Sequence, residues 1–359
     1  MKSGKIRALV VDDSAYARVN ISKHLNADPD IEVVGTARDG FEALEMIRIL
    51  RPNVVTLDVS MPRMDGLTAL EHIMEECPTP VIMLSVLTAA GTWETIRALE
   101  LGAVDFFLKP SIATPAGTSK IALELRKKIK QAAQVPVSKL HSMSEPTIVP
   151  HRIIPRTIKP RRRQHRKVVV IGCSTGGPQA LNDILPHLPG DLPAAVLVVQ
   201  HMHPGFTKSL AGRLAKACEI AVREAEDGDL LVHGQALLAP GDWHMIVDSD
   251  HTVCLNQNRT ECGVRPSVNV TLASVAKHFG PDALAVILTG MGTDGARGAT
   301  LLKAAGGKVY VEDESTAIIY GMPKAVVEAG SADKILPRGE IADEIVLACG
   351  DSESEGAEE

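Results

Sequence analysis

Three aspartates, a serine and a lysine have the types and spacing to handle a phosphoryl group. Asp12 and Asp13 follow the apolar run Ile6–Val11, Asp58 closes Val54–Asp58, Ser85 closes Val81–Ser85, and Lys109 follows Asp105–Leu108. Carboxylates gathered within a few ångströms repel one another and resist ionisation unless a cation neutralises them. A hard divalent ion with oxygen ligands, such as Mg²⁺, is the usual answer. With the metal in place a carboxylate can attack phosphorus, while the metal and a lysine neutralise the oxygens of the acyl phosphate. Asp58 is the central acid of the set. A lone Asp pair at a strand end is more often turn chemistry, but turn chemistry does not account for the whole ordered set.

A second constellation starts at Gly172-Cys-Ser-Thr-Gly176, where Val168 to Ala180 reads as strand, tight turn and helix. A G-x-S-x-G turn raises the Ser174 hydroxyl at the sheet's carboxyl edge, next to a helix N-terminus whose amides favour an oxyanion. Such a turn could also hold a nucleotide. That fingerprint, however, needs glycine where Ser174 stands and an acid roughly 20 residues on. The next run, Ala194–Gln200, ends instead in His201, which faces the same edge as a general base, and Asp294 in Leu288-Thr-Gly-Met-Gly-Thr-Asp-Gly can orient it. The order Ser, His, Asp differs from the Ser, Asp, His of α/β hydrolases, and no histidine follows Asp294. A triad in that order would need His233, His244, His251 or His278, none of which ends a convincing parallel strand. Cys173 is a tempting nucleophile, but side-chain alternation along a strand turns it away from the face of Ser174 and into the interior. His203 competes with His201 for the role of base.

For these residues to meet, parallel strands must carry them to common edges. The runs Ile6–Val11, 32–36, Val54–Asp58, Val81–Ser85 and Asp105–Leu108 alternate with amphipathic helical stretches, which predicts a doubly wound α/β domain over residues 1–133. A second alternation, through 168–171, Ala194–Gln200, 221–225, 236–239, 244–248, 252–255, 283–288 and 309–312, predicts another over 167–349. Residues 134–166, with recurring prolines and arginines and no acid from Arg152 on, read as a linker, either a solvated tether or a strip that docks an acidic partner or nucleic acid. The acidic tail 350–359 has almost no apolar content and is predicted to be disordered.

Composition agrees with this outline. A chain of 359 residues exceeds what one core supports, and 45% hydrophobic with 23% charged residues is ordinary for a globular protein. The net charge of -6 argues against a nucleic-acid partner. Six scattered cysteines without a C-x-x-C pair predict neither a zinc site nor a disulfide framework, and with no signal-like or membrane-spanning run the chain reads as cytoplasmic.

Through Val10-Val-Asp-Asp-Ser14, Asp58-Val-Ser-Met-Pro with Asp65-Gly66, Ser85 and Phe106-Phe-Leu-Lys-Pro, the first half resembles the receiver domains of response regulators. The resemblance implies phosphorylation at Asp58, Mg²⁺ held by Asp12, Asp13, Asp58 and the Ser60 carbonyl, and phosphate sensing by Ser85 and Lys109. Phe106 stands where many receivers carry a switching tyrosine, so only ring rotation is available there. Through Ile171-Gly-Cys-Ser-Thr-Gly-Gly, Gln200-His-Met, Arg265-Pro-Ser-Val-Asn-Val, the Leu288 to Gly295 segment and Gly321-Met-Pro-Lys-Ala, the second half resembles the chemotaxis protein-glutamate methylesterases. That implies Ser174 as nucleophile, His201 as base, Asp294 as orienting acid and an oxyanion hole at Met291 and Thr175. It also implies deamidation of receptor glutamines as a second activity, chemoreceptors as substrates, a chemotaxis histidine kinase as phosphodonor, and no cofactor in the catalytic domain. His203 departs from the proline pair such enzymes carry after His-Met. A rival reading makes the second domain a non-catalytic binding module; the Ser174, His201 and Asp294 set argues against it. A switch domain tethered to a site for a macromolecular substrate further predicts that the unphosphorylated receiver packs over the edge bearing Ser174.

Overall fold

Apolar runs of four to seven residues, buried on both faces, are strands of sheets covered on each side by helices. The computed structural model describes residues 4–86, 89–109, 118–140 and 167–350. The basic segment from 141 on and the tail from 351 lie outside the described residues, so the expectations placed on them do too.

The first half runs β1 (Ile6–Val11), α1 (Ala15–Asn26), β2 (Ile31–Ala37), α2 (Gly40–Leu50), β3 (Val54–Asp58), α3 (Gly66–Glu76), β4 (Val81–Ser85), α4 (Ala89–Glu100), β5 (Asp105–Leu108) and α5 (Thr118–Ala132). Its sheet is parallel, in the order β2-β1-β3-β4-β5. Side chains start the helices: Ser14, Asp39 and Asp65 accept from the amides of Ala17, Glu42 and Thr68, satisfying donors that a helix start leaves unpaired. The strand order reverses between β1 and β3, which opens a crevice at their carboxyl ends.

The second half runs β6 (Lys167–Cys173), α6 (Gly177–Ile184), β7 (Ala194–Gln200), α7 (Phe206–Ala217), β8 (Ala221–Glu224), β9 (Gln235–Leu238), β10 (His244–Val247), β11 (Val253–Asn256), α8 (Val268–Phe279), β12 (Ala283–Ile287), α9 (Ala296–Ala304), β13 (Lys308–Glu312), α10 (Met322–Glu328), β14 (Lys334–Leu336) and α11 (Arg338–Gly350). Seven strands form a parallel sheet ordered β14-β13-β12-β6-β7-β9-β8. Two findings depart from the sequence expectation. The pieces near 244 and 252 pair antiparallel as a separate ribbon, and β14 joins the sheet edge although its three residues carry no alternation strong enough to reveal it. Reversal of strand order about β6 makes the second crevice, between β12, β6 and β7.

The halves touch through α4 and β5 of the first and α6 and α7 of the second. Phe106 stacks on Phe206 with ring centroids 4.5 Å apart, Arg213 forms a two-pronged ion pair with Glu100, and Lys139 donates to the carbonyls of Glu314 and Ala317. The buried apolar cluster that includes Phe106 and Phe206 is continuous across this contact. Among the described residues no helix is long and apolar enough to cross a membrane.

Candidate active site

Adjacent parallel strands place Ser174, His201 and the 288–295 loop side by side. Cys173 pairs with Gln200 between β6 and β7, so Ser174 and His201 each leave the sheet one residue later; Ile287 pairs with Gly172 on the other flank. The ladder continues past the strand ends. The Leu288 amide donates to the Gly172 carbonyl, the His201 amide to Cys173 and the Ser174 amide to Thr289. Gly290 must be glycine, because a Cβ there would come 2.8 Å from the Ser174 Cβ. At Gly177 a Cβ would meet the Gln200 side-chain oxygen at 1.9 Å, so a larger residue there would have to displace the Gln200 amide. The positive-φ residue of the elbow is Gly176 (φ 79), not Ser174, so the turn is made without backbone strain at Ser174.

His201 Nε2 lies 2.8 Å from Asp294 Oδ2, both side chains nearly buried, which leaves Nδ1 as the ring nitrogen able to serve Ser174. His203 is exposed and turned to the Pro204 carbonyl. Asp294 accepts from four donors: His201 Nε2 and the Val268 amide on Oδ2, the Ser267 hydroxyl and the Asn269 amide on Oδ1. Burial works against its charge, yet the bonds from His201, Ser267 and Asn269 hold the carboxyl below the ordinary aspartate value. Cys173 is fully buried and its thiol donates to Gln200 Oε1 at 3.0 Å; burial drives it far above the normal thiol range, so it offers no thiolate.

Several side chains that hold the site gave no sequence signal for their roles. Gln200 donates to the carbonyls of both Ser174 and His201, tying the two strand ends to one amide. Thr289 donates its hydroxyl to the Thr175 carbonyl, while its own amide is held by the buried Glu312, which pairs with Arg338 at 2.9 Å. Asn269 Oδ1 accepts from the amides of Gly295 and Gly298, fixing the loop that carries Asp294. Met291 sits half-buried in the stretch that packs on Ser174, and Thr175 follows Ser174 at the start of the turn.

The first half reaches into this site. Thr175 Oγ1 donates to Asp105 Oδ2 at 2.8 Å, and that carboxylate also takes Lys128 Nζ at 2.6 Å. Asp105 opens β5, whose other end leads to Lys109.

In the other crevice one ligand oxygen from each of Asp12, Asp13 and Asp58 lies within 4.8 Å of the others. Lys109 Nζ is 2.7 Å from both Asp12 Oδ2 and Asp58 Oδ1. Burial pushes Asp58 up to about 6; Lys109 pulls against this, and the charges of Asp12 and Asp13 add to it. Lys109 is itself held above its ordinary value, since its bonds to Asp12 and Asp58 outweigh the cost of burial. All-oxygen donors with surplus negative charge fit a hard divalent cation. Ser60 lies exposed just past Asp58, and the buried Ser85 hydroxyl accepts from Thr95 on α4, the helix whose far end carries Glu100.

Comparison with known proteins matches each half to a separate family. The family described as CheB methylesterase matches residues 169–345 and that described as response regulator receiver domain matches 8–116. A protein-glutamate methylesterase/protein-glutamine glutaminase of Symbiobacterium thermophilum is 49% identical over 96% of this chain and 98% of its own. One of Pyrococcus horikoshii is 45% identical over 96% and 94%. Among solved structures the CheB methylesterase catalytic domain of Thermotoga maritima aligns with TM-score 0.50 and 46% identity, covering 51% of this chain and 98% of that one.

Proposed function

The chain belongs to the CheB methylesterase family with a response regulator receiver domain, and from that premise we propose that it is a phosphorylation-activated serine hydrolase. It removes methyl esters from chemoreceptor glutamates and deamidates receptor glutamines, working in the cytoplasm. The receiver spans 1–133, a linker 134–166 and the catalytic domain 167–349, with a tail at 350–359. The observation that carries the catalytic reading is the His201 to Asp294 bond of 2.8 Å at the strand ends flanking Ser174.

Ser174 Oγ attacks the ester carbonyl while its proton passes to His201 Nδ1. Asp294 holds Nε2–H and stabilises the imidazolium that forms. The oxyanion takes hydrogen bonds from the Met291 and Thr175 amides, worth about 3 kcal/mol each in comparable sites. Collapse breaks the carbon–oxygen bond, methanol leaves with the proton from His201, and water, deprotonated by the same imidazole, releases the acid. With glutamine the leaving group is ammonia.

In the receiver, Asp12, Asp13, Asp58 and the Ser60 carbonyl would hold Mg²⁺, which would supply positive charge against the oxygens of an incoming phosphoryl group. Asp58 accepts that group from a chemotaxis histidine kinase, and Lys109 and Ser85 bind its oxygens. Recruiting the Ser85 hydroxyl competes with its bond from Thr95, which would shift α4 and loosen the contacts of Glu100, Phe106 and Asp105 that cover the catalytic edge.

A fluorophosphonate probe tests the catalytic reading. It is expected to label wild-type protein at Ser174, with methanol released from methylated receptor membranes. A labelled protein that releases no methanol would keep the activated serine and refute the substrate. An unlabelled one would favour a non-catalytic module.

A further inference from the structure

We infer that Ser267 is a positioning residue for hydrolysis, one whose hydroxyl sets how much of the negative charge of Asp294 reaches His201. The inference rests on the triad reading above and extends it to a residue outside the triad.

Of the four donors on Asp294, three come from a single turn of chain at the start of α8. Ser267 Oγ lies 2.7 Å from Oδ1, the Asn269 amide 3.1 Å from Oδ1, and the Val268 amide 2.7 Å from Oδ2. Ser267 is fully buried and Asp294 is 2% exposed, so bulk water cannot stand in for a missing donor. The Ser267 oxygen also accepts the Val270 amide as the N-cap of α8. Because the Asp294 carboxylate can only accept, the Ser267 proton points to it. The two amides cannot be removed by changing a side chain. Ser267 is therefore the one donor, besides His201, whose contribution a substitution can delete.

The consequence follows from how a carboxylate shares its charge. Each fixed donor, together with the positive end of a 12-residue helix, makes Asp294 less basic and weakens its pull on the imidazolium. The imidazolium that forms when His201 takes the Ser174 proton is therefore held less tightly than it would be beside a less well-bonded aspartate. Other ionisable groups near Asp294 are the Cys262 thiol and the Glu261–Arg297 pair. Burial and the charge of Asp294 push Cys262 up, so it stays neutral across about pH 5–8, where a histidine titrates.

The test is the pH profile of kcat/KM on a soluble ester, measured on the full chain as wild type, Ser267→Ala and Ser267→Thr. Active sites are counted by fluorophosphonate titration of Ser174. With the hydroxyl gone the acid limb is expected to move to higher pH by about 0.5–1 unit, and turnover per titrated site on that limb to fall up to about tenfold. Threonine, which keeps the hydroxyl, should restore both. A capping role alone would lower the melting temperature and the number of titratable sites while leaving the limb in place, and that result overturns the inference. Should threonine not fit the buried pocket, the limb of Ser267→Ala still decides. If the label forms on Ser174 and the limb does not move, only this inference fails; if no label forms in the wild type, the triad reading fails with it.

Discussion

Asp58 and Asp294 occupy equivalent places in two doubly wound sheets, both buried beside a strand-order reversal, yet their ionisation is pushed in opposite directions. Burial penalises both. The difference lies in what surrounds them. Asp294 is met by four donors, three fixed by the start of α8, and is held ionised at every working pH. Asp58 has Lys109 but also faces Asp12 and Asp13, and its carboxyl rises to about 6. One site is electrostatically complete, as suits the orienting acid of the proposed triad, which keeps one charge state. The other carries an excess of negative charge that a metal or phosphoryl chemistry can resolve, as a switch requires.

Substitution at each site should separate these roles most sharply. Asp294→Asn is expected to cost about 10⁴ in kcat, and Ser174→Ala or His201→Ala about 10⁶, measured as methanol release. Asp58→Asn should abolish incorporation from a small phosphodonor and with it the increment in activity that the phosphodonor adds. Label persisting at wild-type level in Asp58→Asn would move the phosphosite elsewhere and dissolve the comparison.

The contact between the halves gives a smaller effect. Glu100→Gln removes one side of the ion pair with Arg213. By weakening a partly buried charged pair it should raise basal activity on receptor membranes roughly tenfold, while a small ester changes less. Equal rises on both substrates would mean that the receiver acts on the chemistry itself rather than on access.

The pH dependence follows from the two directions. The folded Asp58 binds its proton more tightly than an unfolded chain, whose aspartate ionises near 3.8. Its contribution to stability is therefore full below that value and lost as pH rises through about 6, at most about 3 kcal/mol in metal-free protein. Asp294 behaves oppositely, contributing at neutral pH and losing its contribution only well into acid. Mg²⁺ affinity should fall as pH drops below about 6, because the proton competes for Asp58. Titration calorimetry between pH 5 and 8 checks this.

What could be read in the sequence was local. Acids and a lysine placed just after apolar runs, and glycines around Ser174, state their position by their neighbours along the chain. Ser267, Asn269, Gln200 and Glu312 could not be read this way. The bonds by which they reach Asp294, Ser174, Thr289 and the 295–298 turn span 23 to 29 residues of chain, and polar residues in a helix start or strand end look alike whether or not they make such bonds. The bond from Thr175 to Asp105, 70 residues apart, was out of reach for the same reason, although packing of the receiver over this edge was expected from the architecture. β14 was missed because a three-residue edge strand with two exposed positions carries no pattern.

The claim that the groups around these two acids, acting on a burial that both share, drive them apart is tested most directly by thermal unfolding of metal-free Asp58→Asn and Asp294→Asn proteins above pH 7. Neutralising Asp58 relieves repulsion and should raise the melting temperature of its transition by several degrees. Neutralising Asp294 strands donors oriented toward a charge and should lower it by a comparable amount. Shifts of the same sign in both variants would contradict the account.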